Sequence, residues 1–159
     1  MNRLPSECAS AERDPVGAES EIHQQLVAAP LVRALLNSFP GPAAILNEHR
    51  QAVMANQKLA ELVDIPVDEL LGLRLGELLD CRNWRREPWG CGTTTECRDC
   101  GALHAILASQ ADVPAVQDCC ILCEINGQAV TLERRVWATP ITFAGERLTV
   151  LAMVDISAS

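Results

Sequence analysis

The chain has 159 residues (17.2 kDa), 48% of them apolar and 21% charged, a composition that suits one folded domain with tails and excludes wholesale disorder. Thirteen basic residues against 21 acidic ones leave a net charge of -8, and with no Tyr, three Trp and two Phe there is neither a basic surface nor a stacking platform for nucleic acid. No apolar run is long enough to span a bilayer, and Met1 to Pro5 lack a secretory pattern, so a cytoplasmic chain without membrane insertion is expected. In that reducing compartment the eight cysteines call for an explanation other than a disulfide scaffold.

Residues 1–20 mix Pro, Ser, Glu, Arg and Asp without apolar periodicity and read as a flexible tail. From Glu21 to Ser38, Ile22, Leu26, Leu31 and Leu35 recur at helical spacing, predicting an amphipathic helix that Pro30 kinks or restarts. Phe39-Pro40-Gly41-Pro42 ends it. Two short apolar runs, 43–46 and 51–56, surround a polar turn and predict a hairpin. Short helices through Leu59 and Leu62 and from Pro66 to Leu71 follow, the second stopped by Gly72. An apolar turn from Leu73 to Leu79 then leads to Cys81.

Residues 80–101 have no period and are longer than an ordinary connection, which marks a functional loop. A helix over 102–110 and three strands over 118–156 complete the chain, with Asn126-Gly127 and Phe143-Ala144-Gly145-Glu146 as turns. The order predicts an α+β domain on a five-stranded antiparallel sheet.

Half of the cysteines lie in that loop. Cys91, Cys97 and Cys100 have the spacing Cys-x5-Cys-x2-Cys, with Cys81 ten residues upstream. Cys-x2-Cys lets two sulfurs reach one metal, and a longer gap brings a third round it, while Gly90, Gly92 and Gly101 let the backbone wrap closely. The spacing is similar to that of vertebrate-type 2Fe–2S ferredoxins, whose fourth ligand lies downstream. An iron–sulfur cluster (2Fe–2S or 4Fe–4S) on Cys81, Cys91, Cys97 and Cys100 is the leading expectation. A structural zinc on the same four thiolates is the alternative, and free thiols in a mobile loop the plain one. Crowded thiolates repel one another unless a cation neutralises them.

On a strand over 119–125, Cys119 and Cys123 share one face and Cys120 takes the other with Leu122. Buried structural cysteines are expected there, although Cys119 or Cys123 would serve as a substitute fourth ligand. His104 lies one turn beyond Cys100 and reads as a surface residue or a neighbour of the metal ligands. Cys8 is expected to be incidental, and His23 and His49 to face solvent. Arg82, Arg85 and Arg86 read as a solvated loop face, with Trp84 and Trp89 shielding the site. The dithiol motif Cys97-x2-Cys100 lacks the strand-then-helix setting of an oxidoreductase, and no catalytic triad, P-loop or carboxylate pair is present, so an enzyme is not expected.

Ile45-Leu46-Asn47, the stretch Ala55 to Leu62, Asp68-Glu69-Leu70-Leu71-Gly72 and the finish Val154-Asp155-Ile156-Ser157 occur in the order and spacing of PAS sensor domains, and from Leu35 to Ser157 the chain resembles that family. Cys81, Gly90-Cys91-Gly92-Thr93, Cys97 and Cys100-Gly101-Ala102 resemble a cysteine-rich subgroup found ahead of bacterial histidine kinases. The resemblance implies a sensory domain over 39–157, a signalling effector such as a histidine kinase as partner, and a homodimer formed through the helix at 21–38 on Ile22, Leu26, Leu31 and Leu35. Deleting residues 1–38 is then expected to leave a monomer. No ATP-binding segment follows the domain, so kinase activity is not expected of it. In haem-binding relatives the helix bearing His104 supplies the iron ligand, which leaves haem, or a small organic molecule in the pocket, as further readings.

Overall fold

Alternation along the strands gives the sheet two apolar faces, and helices cover both. The computed structural model describes residues 9–84 and 90–157. Cys8, Arg85, Arg86 and Trp89 lie outside the described residues. In chain order the elements are α1 (Glu21–Val27), α2 (Pro30–Ser38), β1 (Ala43–Leu46), β2 (Ala52–Ala55), α3 (Gln57–Val63), a 3-10 turn (Val67–Leu70), α4 (Leu75–Leu78), a 3-10 turn (Thr95–Asp99), α5 (Gly101–Gln110), β3 (Ala115–Ile125), β4 (Gln128–Phe143) and β5 (Glu146–Asp155). The five strands form one antiparallel sheet in the order β2-β1-β5-β4-β3. This is the expected architecture, with β3 starting three residues earlier than the sequence reading placed it.

Ala44, Leu46, Leu132, Val136, Leu151 and Met153 point to the inner face, where α3, α4 and α5 add Leu59, Val63, Leu78, Ala105 and Ile106. Ala43, Ile45, Val53, Met54, Leu148 and Ala152 point to the outer face. Because β1 and β2 are buried on both faces, they read in sequence as unbroken apolar runs rather than alternating ones. The turns obey local chemistry. Asn126 and Gly127, like Ala144 and Gly145, have positive φ at both central positions, as two-residue hairpins require. Asn56 caps α3 by accepting from the Leu59 amide, and its other contacts tie β1 and α2 to the same point.

Two expectations change here. Pro30 splits the N-terminal helix into α1 and α2, and both lie on the outer face of the sheet. Ile22 and Leu26 are therefore buried inside the chain, and only Leu31 (70% exposed) and Leu35 (62%) remain of the four residues assigned to dimerisation. Residues 9–16, read as a flexible tail, are docked instead. They run across the loop that carries the cysteines, held by hydrogen bonds of their backbone rather than by an apolar stripe, which is why no periodicity announced them.

Candidate functional site

All four cysteines singled out in the loop line one small, mainly apolar cavity of about 50 Å³. By the same measure a water needs roughly 10–15 Å³, so the space takes a few waters and no more. Each cysteine arrives from a different local structure. Cys81 follows α4 through Asp80, whose φ of 50° turns the chain, and it bridges antiparallel to Cys123 of β3. Cys91 stands between Gly90 and Gly92, both at positive φ. Cys97 belongs to the second 3-10 turn, and Cys100 is the N-cap residue of α5.

Gly76 of α4 lies against this group. A Cβ there would sit 2.7 Å from Cys91 Sγ and 3.4 Å from Cys81 Cβ, so only glycine lets the helix approach the thiols this closely. Its amide donates to Cys91 Sγ at 3.3 Å. Burial pushes the Cys91 thiol up to about 12, against the Gly76 amide and ahead of the neighbouring Cys100. Burial likewise raises Cys81 and Cys100. Cys97 is buried beside the Thr94 hydroxyl, 3.2 Å away. Among the described residues, no three Cys, His, Asp or Glu side chains stand close enough together to hold a metal ion.

Two arginines that the sequence reading did not select close the cavity. Arg74 is fully buried and Arg50 3% exposed. Arg74 donates to the carbonyls of His49 at 2.8 Å and Glu12 at 2.6 Å, and Arg50 to those of Ser10 at 2.8 Å and Cys91 at 3.0 Å. Burial lowers Arg74 to about 10, the Arg50 charge adding to the effect. Burial also lowers Arg50, with Cys91 opposing. Arg50 Nε is buried and has no hydrogen-bond partner among the described residues. Glu77 accepts from Arg13 of the docked segment and from the Cys91 amide at 3.1 Å. Burial raises its carboxyl, but these hydrogen bonds outweigh it and hold the group below the usual carboxylate range. No composition signal marks Arg50, Arg74 or Glu77. A lone charge in a short turn or apolar run is normally exposed, and only the three-dimensional packing buries these.

The docked segment forms the roof. The Ala9 amide donates to the Gly92 carbonyl at 3.0 Å, and the Ala9 side chain packs with Cys97 and Leu103. Gln51 exchanges hydrogen bonds with Asp14 in both directions, at 2.8 and 2.9 Å. In residue type the lining suits a thiolate-bound group, with four sulfurs on one small cavity and buried arginine charge beside them to balance thiolates, but the sulfurs are not gathered closely enough to hold it as they stand.

The remaining candidates separate by position. Cys119 and Cys123 share the inner face of β3, and Cys120 is exposed with Leu122 on the other, as alternation predicted. Burial pushes Cys119 up to about 11, the neighbouring Cys100 adding next; Cys123 is also pushed up to about 11 by burial and then by Cys81. His104 is exposed, bonds the Arg98 carbonyl and lines an open groove with Cys100 and Cys119 rather than the small cavity. His23, expected in solvent, is buried and donates to the Val53 carbonyl at 2.7 Å, because α1 lies on the sheet. His49 is mostly covered, 3.5 Å from Asp14. Trp84 lines the cavity as expected, its indole N–H on Asp80 at 2.7 Å, and Arg82 is exposed.

A five-stranded antiparallel sheet in this order, with α3 to α5 on one face, defines the PAS fold, and comparison with solved structures gives the same class. The PAS domain of nitrogen regulation protein NR(II) from Vibrio parahaemolyticus aligns over 79% of this chain and 98% of its own at 17% identity, with a TM-score of 0.54. The PAS domain of an HTR-like protein from Haloarcula marismortui aligns over 82% and 93% at 15% identity and a TM-score of 0.52. The PAS domain of Bordetella pertussis BvgS aligns over 82% and 86% at 15% identity and a TM-score of 0.50. No family model and no curated protein matches the chain. Among the described residues no helix is long and apolar enough to cross a membrane.

Proposed function

We propose that the chain is a non-catalytic PAS sensory domain of the cytoplasm whose inserted loop binds an iron–sulfur cluster through Cys81, Cys91, Cys97 and Cys100, for redox or oxygen sensing. The observation that supports the reading is that these four thiols, spread over twenty residues of sequence, all line one cavity, although no three of them stand close enough together to hold an ion without moving. When bound, such a group supplies reversible one-electron chemistry and sensitivity to oxygen. The chain's own part is to provide thiolates, to balance their charge with Arg50 and Arg74, and to keep bulk water out with the Ala9 to Asp14 segment. Cys81, Cys91, Cys97 and Cys100 would hold the group, and Arg50 and Arg74, which bond carbonyls of both the cysteine loop and the docked segment, would couple the two. The cavity that the four thiols line is far below the roughly 300–1,000 Å³ typical of a pocket for haem or a drug-sized ligand, so at these thiols a small inorganic group is favoured. The exposed Leu31 and Leu35 pair with a second copy, and a histidine kinase or similar effector receives the output.

Anaerobic purification of the full chain, followed by iron, sulfide and zinc analysis and a visible spectrum, tests the reading. Brown protein containing iron and sulfide, bleached by air and lost in Cys91→Ser, is expected. Colourless protein with one zinc per chain would replace the cluster by a structural metal. Protein free of both overturns the metal reading.

A further inference from the structure

Cys81 and Cys123 face each other as an isolated antiparallel bridge at the edge of the sheet. The flanking hydrogen bonds run from the Arg82 amide to the Leu122 carbonyl (2.9 Å) and from the Glu124 amide to the Asp80 carbonyl (3.1 Å). None joins the two cysteines themselves, so they occupy a non-hydrogen-bonded pair, the closer of the two kinds of antiparallel site. There the Cα atoms stand about 4.5 Å apart with both side chains on one face, within the roughly 4.4–6.8 Å that a disulfide spans. Both cysteines also line an open groove of about 450 Å³ with Arg82, Glu124 and Thr131, and Cys81, the half-buried one of the two, can be reached there by a small molecule in solvent.

We propose that Cys81 and Cys123 are a reversible dithiol–disulfide pair that staples the base of the cysteine loop to edge strand β3, oxidised by low-molecular-weight disulfides. The Cys81 thiolate, the more exposed of the two, attacks one sulfur of the small disulfide, forming a mixed disulfide and releasing one small thiolate. Cys123 rotates off the Val130 carbonyl, which its Sγ meets at 3.5 Å, loses its proton to solvent and attacks the Cys81 sulfur, releasing the second thiolate. The protein gives up two electrons and two protons, and the small disulfide becomes two thiols. Excess dithiol reverses the exchange. The pair forms whenever Cys81 is free of a metal group. If the cluster reading holds, ligation and disulfide compete for Cys81, and a loaded cavity slows the staple.

The test uses the full chain, reduced, stripped of metal and desalted without air, then exposed to glutathione disulfide. Differential alkylation with mass spectrometry is expected to show loss of the Cys81 and Cys123 thiols together, and a non-reducing peptide map to show the two joined. Dithiothreitol restores both. The cross-link persists in Cys120→Ser and disappears in Cys81→Ser. Cys123→Ala is read on the same map, and because wild-type mapping carries the result alone, a misfolded variant costs nothing. Cross-links between other cysteines, or Cys123 left alkylatable, overturn the proposal. Cross-linking without iron, sulfide or zinc after anaerobic purification sinks the metal reading alone, whereas a loaded protein whose stripped form never links Cys81 to Cys123 sinks this one alone.

Discussion

Ser10 and Cys91 hang by their carbonyl oxygens from a single nitrogen, Arg50 Nη2, at 2.8 and 3.0 Å. Arg74 reaches the same two carbonyls at 3.3 and 3.4 Å, so the N-terminal segment and the cysteine loop are tied through two buried charges. Replacing Arg50 with Met removes both of these hydrogen bonds and leaves the two carbonyls only the longer ones from Arg74, a cost of at most about 1–3 kcal/mol each, while relieving the cost of burying a guanidinium. We expect a net loss of roughly 1–3 kcal/mol in urea unfolding and release of the segment. Hydrogen exchange is the sharper measurement, because the Ala9 amide, bonded to Gly92, should lose its protection while Leu59 in α3 keeps it. Unchanged exchange at Ala9 would mean that Arg74 and Gln51 hold the segment alone.

Gly76→Ala probes the cavity from the opposite side. Its methyl would overlap Cys91 Sγ, 2.7 Å away, and press on Cys81 Cβ at 3.4 Å, so the thiols there have to shift. Iron, sulfide or zinc content should fall several-fold, with far-ultraviolet circular dichroism unchanged, because alanine favours the helix. Full metal content in this variant would show that Cys91 is not a ligand.

Much of the scaffold was legible because its signals are local. Asn126-Gly127 dictates a hairpin, and Cys119 and Cys123 fall on one face of β3 by simple alternation. That Cys91, Cys97 and Cys100 come to line the same cavity was legible too, from their spacing. The surroundings of that site were not. Arg50 and Arg74 are buried because distant carbonyls of Ser10, Glu12 and His49 converge on them, and backbone acceptors leave no mark on composition. The stripe from Ile22 to Leu35 misled for a related reason. Pro30 restarts the helix, so Ile22 and Leu26 turn to the sheet while Leu31 and Leu35 turn to solvent. Periodicity shows that a face is apolar without saying what covers it.

Asn56 is the clearest structural test of the scaffold. Its Oδ1 accepts from the Ala43 and Leu59 amides, and its Nδ2 donates to the Leu36 and Gly41 carbonyls, all at 3.0 Å. The side chain is fully buried and joins α2, β1 and α3. Asn56→Ala leaves these groups without partners and removes a helix cap, so we expect a loss of about 3 kcal/mol. In urea this should appear as a lower midpoint at an unchanged slope. A loss below about 0.5 kcal/mol, the range of ordinary surface substitutions, would contradict the network.

The dimer has to be tested by point substitution. Deleting residues 1–38 would also remove Ile22, Leu26 and Leu36, stripping the outer face of the sheet, so a monomer, an aggregate or an unfolded chain would be equally uninformative. Leu31 and Leu35 are 70% and 62% exposed and one helical turn apart on α2, so aspartate at both alters no core contact. Light scattering on a sizing column should therefore show wild type as a dimer and Leu31→Asp/Leu35→Asp as a monomer, with unfolding shifted by no more than about 0.5 kcal/mol. Leu26→Asp is the contrasting control: it puts a carboxylate against the sheet and should destabilise the fold by several kcal/mol, whatever the oligomeric state. A double variant that remains dimeric would place the interface elsewhere, and the exposed outer face of β3 at Val116 and Leu122 is then the next surface to substitute.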